Sequence, residues 1–165
     1  MGLKVAKFGG SSLADAAQIV KVCDIVKSDA ARRIVVVSAP GKRNKSDVKV
    51  TDMLIACAEA RLFGKRAEPE LKAVVERYAE IQRGTGAPAG IVAEIEKDLR
   101  ARLDSDRNDR GKFIDRMKAG GEDNCAKLAA EIFRENGLDA TYVSPREAGL
   151  SLSNECGNAL VLKES

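Results

Sequence analysis

Three observations predict an α/β domain of three layers, α/β/α, with helices packed on a mainly parallel sheet. Residues 3–8 are a short extended run that Gly9-Gly10-Ser11-Ser12 breaks. A helical pattern follows, and Ile34-Val35-Val36-Val37 is then an unbroken β-branched run. Such a run suits a strand covered on both faces, as in parallel sheets. Strand, glycine turn, helix and strand form a βαβ unit, which is right-handed in nearly all proteins.

Each further element has its own signal. Ile19, Val22, Cys23 and Val26 recur on one face and predict a helix over 13–30, with Ser11 or Ser12 as its cap. Pro40 to Lys49 reads as a polar, basic loop. The spacing predicts helices over 52–63, 70–82, 89–103 and 110–118, with Thr51 capping the first and Gly64 stopping it. Gly120-Gly121 reads as an interruption before another helix over 122–135, which Asn136-Gly137 ends. Residues 140–144 read as a strand and 158–162 as one more or an irregular end. The helices outnumber the strands, as in a lobe of a larger sheet.

Composition narrows the chemistry. The 165 residues are 44% hydrophobic and 32% charged, ordinary for a folded domain. Histidine is absent, which excludes Ser-His-Asp and Cys-His catalysis and an imidazole shuttle. Aromatics are 4%, too few for base-stacking platforms, and 28 basic against 25 acidic residues leave a net charge of only +3. Nucleic acid is therefore not an expected partner. Neither is a membrane, because no run of eighteen apolar residues occurs. Cys23, Cys57, Cys125 and Cys156 form no C-x-x-C and read as small core fillers in a reducing, cytoplasmic setting.

The chemistry concentrates at two strand ends. Lys7-Phe8-Gly9-Gly10-Ser11-Ser12 sits where a strand meets a helix. Paired glycines admit an anion or a positive φ, and a helix N-terminus favours negative charge. Lys7 can bring an ammonium to the same place. The pattern is neither a Walker A loop nor G-x-G-x-x-G. Residues alone leave it open between a phosphate cradle and a tight connection with a surface lysine. Ser38-Ala39-Pro40-Gly41 follows the second strand and shares the ligand-binding edge of a parallel sheet. The nearby Lys42, Arg43 and Lys45 read either as anion-attracting charge or as a solvated loop.

Together these segments carry a resemblance. Val5-Ala6-Lys7-Phe8-Gly9-Gly10-Ser11-Ser12-Leu13-Ala14-Asp15 is similar to the opening signature of aspartate kinases in the amino acid kinase family. Val36 to Gly41, Val50 to Leu54, Ala119 to Asn124 with Ala126-Lys127-Leu128, Glu147 to Leu150 and Gly157 to Ala159 resemble later blocks, in order. The resemblance implies transfer of the γ-phosphoryl group of ATP to the β-carboxylate of L-aspartate, the first step towards lysine, threonine and methionine. It implies Lys7 as the catalytic lysine, and Lys7, Phe8, Gly9, Gly10, Ser11 and Ser38 on the nucleotide phosphates. Ser38, Thr51 and Glu122 become aspartate contacts, with Mg²⁺ held mainly by the ATP phosphates and no protein metal ligand named. Without the resemblance, Thr51 reads as a helix cap and Glu122 as an acid at a helix N-terminus.

The family's glycine-rich second half, its substrate arginine, its nucleotide-base pocket and its regulatory domains have no counterpart in these residues. Residues 1–165 are therefore expected to be the amino-terminal part of an amino acid kinase domain, inactive alone and homo-oligomeric in the intact enzyme. Other readings are a kinase for glutamate or N-acetylglutamate, a non-catalytic effector-binding or assembly module, and an inert fragment with an exposed sheet edge.

Overall fold

Two β-rich runs pair, because their backbone groups have no helical partner. The computed structural model describes residues 2–165. Strand β1 (Lys4–Phe8) pairs in parallel with β2 (Arg32–Val37), aligning Val5 with Ile34, Ala6 with Val35, Lys7 with Val36 and Phe8 with Val37. Helix α1 (Ala16–Lys27) makes the crossover, burying Ile19, Val22, Cys23 and Val26 as their spacing requires. It is shorter than 13–30 because Gly10–Leu13 forms a separate 3₁₀ turn. Its cap is Asp15, whose carboxylate accepts from the Gln18 N–H at 2.9 Å, not Ser11 or Ser12.

Four helices follow: α2 (Val50–Leu62), α3 (Glu68–Thr85), α4 (Gly90–Leu103) and α5 (Arg110–Glu135). Thr51 lies inside α2 rather than capping it. The capping position is Lys49, which makes no side-chain bond there. The orphan Val50 amide donates instead to the Pro40 carbonyl at 3.0 Å, which joins the helix start to the preceding loop. Gly64 ends α2 at φ +78°, as expected.

Gly120 and Gly121 do not interrupt α5, which runs unbroken through both. A Cβ on Gly120 would lie 3.2 Å from Leu99 Cδ2 and 3.0 Å from Arg102 Cδ; one on Gly121 would lie 2.9 Å from Ala39 Cβ and 3.1 Å from Leu54 Cδ1. The glycines are there for close packing on two sides. That packing outweighs a propensity cost of about 1 kcal/mol each.

The sheet has two strands among the described residues. Phe8, Val35 and Val37 pack on the helical core, whereas Val5 is 62% exposed and Ile34 and Val36 are 45% exposed. The run expected to be covered on both faces is covered on one, because no described helix lies across Val5, Ile34 and Val36. Residues 140–144 find no strand partner and form no strand; in the last segment the ladder shrinks to one antiparallel bridge, Leu152 with Val161. Cys23, Cys57 and Cys125 are buried fillers, and Cys156 is exposed.

Residues 40–49 are fastened to α3 by a buried ion pair. Arg77 is 4% exposed, and its Nη2 reaches both carboxylate oxygens of Asp47, at 2.7 and 2.8 Å. Arg77 also donates to the carbonyls of Gly41 and Val48. Arg43 reaches Asp47 through Nε at 2.9 Å and through its backbone N–H at 2.8 Å. Removing one member of a buried pair costs about 3–5 kcal/mol. Hydrogen bonding from Arg43, helped by Arg77, holds the Asp47 carboxyl well below the usual carboxylate range. A depressed carboxyl pKa stabilises above the unfolded value, about 4, and loses its effect as pH falls towards the folded one. Urea denaturation should therefore show Asp47→Asn less stable than the parent at pH 7, with the gap narrowing steadily below about pH 4. A gap that stays constant down to pH 2 would contradict the assignment.

Candidate functional site

The parallel pairing puts the ends of β1 and β2 on one edge, so the two small-residue loops leave the sheet side by side. They are joined backbone to backbone. The Ser38 N–H donates to the Phe8 carbonyl at 3.2 Å, and the Gly41 N–H donates to the Gly10 carbonyl at 2.8 Å. A Cβ on Gly41 would sit 2.6 Å from the Gly10 carbonyl carbon, and one on Gly10 would sit 2.8 Å from the Ala39 oxygen. This contact requires glycine on both sides.

Gly9 differs. Its φ of −80° and ψ of 169° suit any residue, and nothing lies within 4 Å of where its Cβ would be. Neither Gly9 nor Gly10 has a positive φ, so the left-handed role expected of the pair is not used. The space over Gly9 is open. The amides of Gly10 and Ser11 have no acceptor among the described residues. These unpaired donors beside an uncovered glycine can receive an anion. The dipole of α1 contributes little, because Asp15 occupies its N-terminus and the 3₁₀ turn intervenes.

Two helices close on the same loop pair. The start of α2 is tied to Pro40, and Gly121 of α5 lies against Ala39, Val50 and Leu54. Ser38, Thr51 and Glu122 are each the sequence neighbour of a residue in this contact. Ser38 and Thr51 are half-buried and Glu122 is exposed. Thus the backbones that carry Gly10, Ser38, Thr51 and Glu122 meet through contacts of Gly41, Ala39, Val50 and Gly121. Lys7 stands on the open face of the sheet, in register with Val36, exposed and with no ion-pair partner among the described residues. Phe8 contributes only backbone, since its ring packs on the core.

The basic cluster divides. Arg43 is bound to Asp47 and, at 2.5 Å, to Glu80, so its charge is compensated. Lys42 and Lys45 are exposed. A cleft of about 280 Å³ beside α1 and α3 is lined by Asp15, Arg43, Arg77 and Glu80, which balance one another, and Gly10, Ser38, Thr51 and Glu122 do not line it. No group of three or more His, Cys, Asp or Glu that could hold a metal occurs among the described residues. No helix among them is long and apolar enough to cross a membrane.

The sequence reading did not reveal the packing contacts of Gly41 and Gly121 or the hydrogen bond of Tyr78. The buried Tyr78 hydroxyl donates to the Gly121 carbonyl at 2.8 Å. The spacing of Leu71, Val74, Val75 and Tyr78 puts Tyr78 on the apolar face of the helix over 70–82, but local pattern does not reveal its partner, because the glycine pair reads as a break. Chemical denaturation should separate the two kinds of glycine. Gly41→Ala should lose about 1–3 kcal/mol through the backbone clash. Gly9→Ala should stay within about 0.5 kcal/mol of the parent. Equal losses would mean that Gly9 is needed for folding.

Comparison with known proteins identifies the family and the fold. Residues 2–164 match the amino acid kinase family. The chain is 52% identical over 163 residues to aspartokinase 3 of Bacillus subtilis (strain 168), covering 99% of this chain and 36% of that protein. It is 32% identical over 151 residues to lysine-sensitive aspartokinase 3 of Escherichia coli (strain K12), covering 87% and 31%. The chain thus spans about a third of the length of these curated relatives. Its fold superposes on E. coli aspartokinase III in complex with aspartate and ADP with a TM-score of 0.77, at 27% identity, covering 95% of this chain and 34% of that one. The aspartate kinase of Clostridium acetobutylicum gives 0.73 at 31% identity, covering 81% and 30%. With the family matched along nearly its whole length and the two-loop edge in place, this chain belongs to the amino acid kinase family.

Proposed function

We propose that this chain is the amino-terminal part of an aspartate kinase, carrying the aspartate side and the phosphate edge of a site that transfers the γ-phosphoryl group of ATP to the β-carboxylate of L-aspartate. The observation that supports it most is the 52% identity with an aspartokinase along 99% of the chain. The complex of a related fold with aspartate and ADP supports the same pair of ligands.

The chemistry suits the residues. A carboxylate is already ionised at neutral pH, so the nucleophile needs no strong general base, and a histidine-free chain loses nothing. Phosphoryl transfer then depends on alignment and on neutralising the equatorial oxygens. In this reading the open backbone at Gly9, Gly10 and Ser11 receives phosphate oxygens, and Lys7 places its ammonium on the transferring group. Ser38 stands between phosphate and substrate. Thr51 and Glu122 hold aspartate, Glu122 taking the α-ammonium. Mg²⁺ would be held mainly by the ATP phosphates, and no step is assigned to it. A cytoplasmic, homo-oligomeric parent enzyme on the route to lysine, threonine and methionine completes the proposal.

A chimera tests it, with residues 2–164 replacing the matching part of B. subtilis aspartokinase 3. The chimera should release ADP with aspartate and not with glutamate or N-acetylglutamate, and the 165-residue chain alone should not turn over. Lys7→Ala in the chimera should lower kcat on the order of 10²–10³-fold while KM for aspartate changes little. A folded chimera that prefers another acid, or a Lys7→Ala variant with unchanged kcat, would overturn the assignment concerned.

A further inference from the structure

We infer that Tyr78 is a positioning residue for Glu122, acting by a buried hydrogen bond to the carbonyl that precedes it. This rests on the reading of Glu122 as an aspartate contact. The Tyr78 side chain is fully buried in α3, and its hydroxyl crosses to the Gly121 carbonyl at 2.8 Å. Gly121 is in mid-helix, where a carbonyl already accepts from the amide four residues on, so the phenol adds a second donor. A bond of this kind is not needed to satisfy the helix. What it does is fix where that turn of α5 stands relative to α3.

The same turn is fixed from the other side. The Asn124 Nδ2 donates to the Gly120 carbonyl at 2.9 Å and to Asp98 at 2.8 Å. Asp98 and Asp123 are held by Arg102, at 2.7 and 2.6 Å. Two consecutive carbonyls of α5, Gly120 and Gly121, thus each receive a side-chain donor. Gly121 meanwhile abuts Ala39, so the turn is clamped between α3 and the loop that carries Ser38.

Glu122 itself has no ion pair among the described residues and is exposed. Its placement comes from the backbone beneath it, not from contacts of its own carboxylate. A phenol suits this task. Burial pushes the Tyr78 hydroxyl well above its ordinary pKa, so it remains a donor at every working pH. Gly121 suits it too, because any side chain there would hold Ala39 away. A change at Tyr78 should therefore reach aspartate binding without touching either substrate.

Two measurements on Tyr78→Phe decide the matter, with Ile95→Val, a core change in α4, as the control for lost stability. In the 165-residue chain, amide hydrogen exchange over 118–126 should quicken in Tyr78→Phe and not in Ile95→Val at matched stability. In the chimera, Tyr78→Phe should raise KM for aspartate about three- to tenfold, the effect of one net hydrogen bond, with KM for ATP unchanged. Ile95→Val should leave both constants alone. Unchanged exchange over 118–126, or an unchanged KM for aspartate in an active chimera, would overturn the role of Tyr78. Should the unsubstituted chimera fail to phosphorylate aspartate, the functional reading fails separately, and the exchange comparison still decides whether Tyr78 holds the turn.

Discussion

The contact between Gly10 and Gly41 is the constraint on which the rest of this edge depends. Two loops that leave adjacent parallel strands would ordinarily diverge, because their side chains need room. Here there are none to accommodate, and the Gly41 N–H donates to the Gly10 carbonyl at 2.8 Å. The backbones therefore travel together for one more step beyond the sheet. Gly121 extends the same logic to a third segment by letting α5 reach Ala39. The result is an edge built mainly of main chain, on which a few side chains are mounted.

Charge is arranged to suit that edge. The two arginines close to it are compensated: Arg77 and Arg43 by Asp47, and Arg43 again by Glu80. Behind α5, Arg102 and Lys127 are matched by Asp98 and Asp123, and Tyr142 donates to Asp123. These pairs hold loops and helices in place and leave little net field of their own. Lys7 is the exception in the opening strand, with no carboxylate beside it. Its ammonium is exposed on the open face of the sheet, one residue before the strand ends.

The open sheet face belongs to the same picture. Val5, Ile34 and Val36 present apolar surface beside Lys7, on the side that the helices do not cover. The chain spans about a third of the length of its curated relatives. Within this chain, stability comes from the other side, where the helices enclose Tyr78, Phe113, Leu54 and Leu128.

Much of this was legible in residue order alone. The apolar spacing of α1, the helix stop at Gly64 and the β-branched run of β2 follow from local geometry, since a period of 3.6 or 2 is set within a few residues. The opening signature singled out Lys7, Gly9, Gly10 and Ser11 as candidates, and the later blocks of the resemblance singled out Ser38, Thr51 and Glu122. What local pattern could not supply was the meaning of a glycine. Gly120-Gly121 has the composition of a break and is instead the tightest part of the longest helix, because a close neighbour from another element outweighs helix propensity. Thr51 and Ser12 looked like caps and were displaced by partners that pattern does not reveal, the Pro40 carbonyl and the 3₁₀ turn. Residues 140–144 have strand-like composition and no strand to pair with, and pairing is a property of two segments. The sequence by itself determined the two strands and the apolar faces of the helices, because those patterns are set within a few residues. Only the tertiary structure decided which backbones touch, because contact depends on what is absent from a side chain and on what stands opposite it.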